Sequence, residues 1–114
     1  MSSLVEVRGI VRREVLDRVV QHLEAAVPRI TVTRIHALGT GVHADPANVN
    51  LEEGAYRNMA MVQCICAGER SAMITELIVQ AARTGKPGDG IVSVHPVQQV
   101  TKIRTGETGL VALA

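Results

Sequence analysis

Apolar and polar residues alternate at the start of the chain and then change period. Leu4–Val11 carries Leu4, Val5, Val7, Ile10 and Val11, with Glu6 and Arg8 between them, which predicts a first strand. From Glu14 to Ala26 the apolar positions are Val15, Leu16, Val19, Val20 and Leu23, with Val27 just beyond. Spacings of one, three and four trace one face of a helix, and Pro28 ends it, because a proline disfavours helix at the preceding residue. Ile30–Ala37 is rich in β-branched residues (Ile30, Thr31, Val32, Thr33, Ile35) and predicts a second strand. Residues 39–58 have no period: Gly39, Gly41, Asp45, Pro46, Asn48, Asn50 and Gly54 interrupt it, and Glu52 and Glu53 add charge. A loop of this length in a compact domain is usually functional. Met59–Ala67 predicts a third strand whose single polar residue is Gln63.

The period then returns to that of a helix. Arg70–Arg83 places Met73, Ile74, Leu77, Ile78 and Ala81 on one face. Gly85 is a helix stop, and Pro87, Gly88 and Gly90 make a tight turn. Ile91–Val97 and Val100–Ile103 are short strand candidates. The order predicts an α+β, ferredoxin-like βαββαβ fold: an antiparallel sheet, two helices on one of its faces, and a long loop between the second and third strands. One domain over residues 1–114 accommodates it.

Composition narrows the classes. The chain is 46% hydrophobic yet has no Phe, no Trp and one tyrosine, Tyr56. The core is therefore aliphatic, and a small domain without large rings gains further burial by oligomerising. The net charge is +1, and neither a basic stripe nor interleaved aromatics is present, so nucleic-acid binding is set aside. No apolar run approaches the roughly 18 residues of a membrane span, and the start lacks the pattern of a signal peptide. A cytoplasmic protein without direct membrane insertion is expected. Cys64 and Cys66 fall on the same side of one strand, where bridging them would strain the backbone. Two free thiols are expected, with a redox pair or soft-metal site as the minor alternative.

Two stretches carry candidate chemistry. In Thr84-Gly85-Lys86-Pro87-Gly88-Asp89-Gly90 the glycines allow backbone N–H groups close to an anion, although the spacing is not that of a P-loop. Taken alone, such a run is more often a plain helix-to-strand turn. In Lys102-Ile103-Arg104-Thr105-Gly106-Glu107-Thr108-Gly109, a strand would put Lys102 and Arg104 on one face, suited to a polyphosphate; a solvated edge strand is the equal alternative.

Taken together, AARTGKPGDG and KIRTGETG, with ITVTRI upstream of the long loop, resemble the PII signal-transduction family over nearly the whole chain. The resemblance implies a homotrimer with an adenine nucleotide (ADP, AMP or ATP) in each cleft between subunits. One side would be Thr31, Ala37, Leu38 and Gly39, with Ile10 and Ile65 lining the base pocket. The neighbouring subunit would supply Gly88, Asp89 and Gly90, with Lys102 and Arg104 on the phosphates. The long loop, the T-loop of that family, would dock on a transporter or enzyme. The implied protein is a regulator rather than an enzyme, since no nucleophile–base pair or carboxylate pair stands out.

The departures are specific. Typical members have Gly-Phe-Gly-Arg at the loop base, where this chain has Ala37-Leu38-Gly39-Thr40, and Ile91 replaces a typical Lys. A charged hydrogen bond is worth about 1.5–3 kcal/mol, so losing two phosphate partners predicts ADP or AMP bound at least as well as ATP. Gly41 and Met59 stand where a Gln and a Lys help hold 2-oxoglutarate beside magnesium-ATP, which argues against 2-oxoglutarate and leaves magnesium open. Tyr56 does not match the modified loop tyrosine. Outlying PII-like proteins are linked with bicarbonate or metal export, so bicarbonate is a candidate second ligand. His43-x-Asp45 in the loop is a weak metal pattern; His22, His36 and His95 read as ordinary histidines. A trimeric metal-tolerance protein using Cys64, Cys66 and His43 is the alternative from another class.

Overall fold

A computed structural model describes residues 3–37 and 57–114. Leu38, Gly39, Thr40, Gly41, His43, Asp45, Glu52, Glu53 and Tyr56 lie outside the described residues. The elements are β1 (Leu4–Arg12), α1 (Leu16–Glu24), β2 (Thr31–Ala37), β3 (Arg57–Ala67), α2 (Ser71–Ala82) and β4 (Gly90–Val97). The sheet order is β2-β3-β1-β4 with every neighbour antiparallel, which is the ferredoxin-like arrangement.

The alternation in β1 sorts the two faces. Val5, Val7, Gly9 and Val11 sit opposite Cys66, Cys64, Val62 and Ala60 of β3. These positions meet both helices in the core, where Val7, Val11, Val19, Leu23, Val62, Ile74 and Ile78 have less than 2% of their surface exposed. Gly9 is the point of closest approach: a Cβ there would lie 3.1 Å from Ile78 Cγ2 and 3.2 Å from Val62 Cγ2. The opposite face carries Glu6, Arg8 and Ile10 beside Ile65, Gln63 and Met61, with Thr31 and Thr33 following on β2. Neither α1 nor α2 covers it.

Both helices are entered through a single 3-10 turn, Arg13–Val15 and Gly68–Arg70, as is common at helix N-termini. Helix α1 therefore begins at Leu16 rather than at Glu14. The helices pair head to tail through arginines. Arg18 Nε donates to Ala81 O at the end of α2, and Arg70 Nη2 donates to Ala26 O beyond the end of α1, at 2.6 Å. Each cation satisfies a carbonyl that its helix leaves unpaired and opposes the negative helix end. Met73, expected on the buried face of α2, is instead 43% exposed.

One strand expectation fails. Val100–Ile103 is not a strand: Thr101 makes an isolated bridge to Thr108. The chain between them turns back, with Lys102 N donating to Glu107 O and Gly106 N to Lys102 O, both at 2.8 Å. The β-branched alternation of Val100-Thr101-Lys102-Ile103 imitates a strand, but Gly106 takes a φ of +77° and closes a turn instead. Lys102 and Arg104 are thus at the neck and tip of a turn, not on one strand face.

Candidate functional site

The glycine run after α2 is rigid because one carboxylate organises it. Asp89 Oδ2 accepts from the backbone N–H of Thr84 at 2.8 Å and of Gly85 at 2.9 Å. Its Oδ1 accepts from the Thr84 hydroxyl and from Arg12 Nε at 2.9 Å. Arg12, 4% exposed at the end of β1, also donates through Nη2 to Pro87 O at 2.6 Å. Burial alone would raise the Asp89 pKa, but the hydrogen bonds from Thr84, Arg12 and Gly85 outweigh it and hold the carboxyl down to about 2. Gly90 has a φ of +106°, and a Cβ there would lie 1.8 Å from Ile10 O. The turn thus presses backbone against backbone where β4 joins β1. Ile10, Asp89, Gly90 and Ile91 border a cavity of about 180 Å³ together with Arg83. Ile91, in place of the typical lysine, is 66% exposed.

A second cavity, about 360 Å³, opens on the helix-free face. Thr31, Ile65 and Lys102 line it, with Gln63, Glu6 and Arg29 as further polar groups. Glu6 holds this floor in place: its Oε1 accepts from Arg8 Nη2 at 2.7 Å, Arg8 Nε at 3.0 Å and Gln63 Nε2 at 3.3 Å. The far wall is the C-terminal 3-10 turn, Leu110–Leu113, through Ala112 and Leu113. Lys102 Nζ donates to the backbone oxygen of Ala114 at 2.8 Å.

Within one chain the structure therefore brings Thr31, Ile65 and Lys102 together at one place, and Ile10, Asp89 and Gly90 at another. Gly88 lies in the turn of the second group. Arg104 is exposed at the tip of the Lys102–Glu107 turn. Ala37 ends β2, paired with Arg57, and Leu38 and Gly39 are outside the described residues. Met59 is 2% exposed, so its side chain is committed to packing.

Cys64 and Cys66 are free and buried. Burial, with the neighbouring Cys66 and Glu6 adding to it, pushes the Cys64 thiol up to about 11; burial likewise raises Cys66. Among the described residues no three His, Cys, Asp or Glu converge as a metal site. No helix among them is long and apolar enough to cross a membrane.

Sequence reading passed over Arg12, Glu6, Gln63 and the Ala112–Leu113 wall. Gln63 had left a signal, as the single polar residue of an apolar strand. Arg12 had left none, since its partner Asp89 is 77 residues away.

The family model for "Nitrogen regulatory protein P-II" matches residues 4–107. A nitrogen regulatory protein P-II of Rhizobium meliloti (strain 1021) is 33% identical over 114 residues, covering 95% of this chain and 98% of that protein. One from Cereibacter sphaeroides is 32% identical over 110 residues, covering 91% and 95%. A crystal structure of Arabidopsis thaliana PII bound to citrate superposes with a TM-score of 0.79 at 24% identity, covering 99% of this chain and 92% of that one. At that identity the likeness speaks for the fold.

Proposed function

This chain belongs to the P-II family of nitrogen regulatory proteins, a family of signalling regulators, and we propose that it acts by sensing adenine nucleotides and controlling a partner transporter or enzyme through the 38–56 segment. The observation that carries the reading is the cavity in which Thr31, Ile65 and the Lys102 ammonium meet. It offers an apolar wall for a base, a hydroxyl for a sugar or ring nitrogen, and a cation for phosphate.

The Gly88–Gly90 turn supports the same reading from its rigidity. Both oxygens of Asp89 are taken up by the turn and by Arg12 of β1, so its role is to fix the backbone there. A pre-organised backbone binds an anion without first being ordered. The structure groups Lys102 with Thr31 and Ile65, and Ile10 with Asp89 and Gly90, a different division from the one expected from the sequence; the two groups lie apart within one chain, and an adjacent copy would complete the cleft. The helix-free sheet face supplies the surface for a homotrimer. Exposed Ile91 in place of a cation supports ADP or AMP bound at least as well as the more charged ATP. The altered 2-oxoglutarate positions leave bicarbonate as the second ligand to test. We read the protein as a switch without turnover.

Titration calorimetry with AMP, ADP and ATP, with and without bicarbonate or 2-oxoglutarate, tests this. One nucleotide per subunit, lost in Arg104→Ala, is the expected result. ATP bound far more tightly than both ADP and AMP removes the preference, and no nucleotide binding at all removes the reading. The metal-tolerance alternative has less support, since thiols pushed above their ordinary range resist the deprotonation that metal binding needs.

A further inference from the structure

The turn at the end of the described chain is placed where it controls the Lys102 cavity. Leu110–Leu113 forms one 3-10 turn. Ala112 is 2% exposed and, with Leu113, walls the 360 Å³ cavity that holds Thr31, Ile65 and Lys102. On its other side Leu110 and Leu113 line a separate, apolar cavity of about 250 Å³ against Val27 and Ile65. The turn is thus seated by one buried methyl group and flanked by unfilled space on both sides. Among the described residues it is tied to the rest of the chain by Gly109 N to Val100 O at 3.1 Å and by the Lys102 ammonium on Ala114 O at 2.8 Å, while Ala112 N to Gly109 O and Ala114 N to Val111 O are bonds within the turn. Segments with sparse packing open at low free energy.

The Lys102 tether uses the cation that the proposed site needs for phosphate. A phosphate group offers Lys102 several charged acceptor oxygens where Ala114 offers one oxygen at 2.8 Å. We propose that Leu110–Ala114 is an intrachain latch. It occupies Lys102 when no polyphosphate is present, and it is released when a nucleotide phosphate takes Lys102. The inference rests on the nucleotide reading above and adds its regulation. Coupling of this kind is reciprocal: whatever factor the latch takes from nucleotide affinity, the nucleotide takes from latch closure.

Lys86 and Lys102 are the two lysines of the chain, which makes the latch directly readable. Trace acetic anhydride labelling followed by mass spectrometry compares the two amines, with exposed Lys86 as the internal reference. Lys102 is expected to react more slowly than Lys86 in the full chain. In Ala112→Gln, where a bulky polar group unseats the turn, Lys102 should react at nearly the rate of Lys86. Val111→Gln, at a position 54% exposed on the same turn, should leave the ratio unchanged. Calorimetry with ADP should show Ala112→Gln, and a second variant ending at Gly109, binding about fivefold or more tighter than the full chain. Val111→Gln should bind as the full chain does. Equal ADP affinity in every variant, or equal labelling of the two lysines in the full chain, overturns the latch and leaves the nucleotide reading standing. Absence of ADP and ATP binding in every variant, whatever the labelling, overturns the nucleotide reading and the latch with it.

Discussion

Asp89 is the residue on which the glycine turn depends. Replacing it by Asn keeps the shape but removes the charge facing buried Arg12. Loss of a charge-assisted bond, with Arg12 left buried beside a neutral group, should cost about 3 kcal/mol in urea unfolding. Its acid response has a definite sign. The folded carboxyl titrates near 2, below the unfolded value of about 3.9, so the unfolded chain takes up the proton first. The contribution is complete above pH 4 and is lost as pH falls towards 2. Asp89→Asn should flatten that part of the stability–pH curve. Cys64 behaves in the opposite sense. Its folded pKa of about 11 lies above the ordinary thiol value of 9.0, so its contribution is whole below pH 9 and lost as pH climbs to 11. Ellman's reagent at pH 8 should leave both cysteines untouched in the native protein and titrate two thiols in denaturant.

The strands and helices were legible because each has a side facing the core and a side facing elsewhere. The period-two pattern of Leu4–Val11 and the three-four spacing of Val15–Leu23 are direct prints of that asymmetry. Legibility failed where a pattern was shared by two structures. Thr101-Lys102-Ile103 alternates like a strand, yet the bonds between Lys102, Gly106 and Glu107 make a turn. Of the candidate site, the glycine run and the two cations stood out by residue type. Arg12, Glu6 and the Ala112 wall did not, since their roles come from contacts across the sheet. The helix pair was equally silent: nothing in the spacing of Arg18 and Arg70 marks that each caps the other helix. Arg18→Ala and Arg70→Ala should each lower stability by about 1 kcal/mol. The double variant tests whether the two caps act independently. Gly90→Ala should do far more damage than either, since its Cβ would collide with Ile10 O and its φ is unfavourable for a side chain.

For the whole molecule, the helix-free face decides how the protein exists in solution. A sheet with α1 and α2 on one side leaves Ile10 and Met61 on the other, and a cyclic assembly would bury them. Light scattering should give about three times the 12.2 kDa chain mass. Met61→Arg, which puts a charge at the middle of that face, should return the protein to monomers. The aromatic-free interior has an optical consequence. With no tryptophan and Tyr56 the only tyrosine, the packed domain is silent in intrinsic emission. All of the signal arises in the segment joining β2 to β3. The protein thus carries its own reporter on the stretch through which it is proposed to signal, and a nucleotide-dependent change in emission would be free of any background from the core.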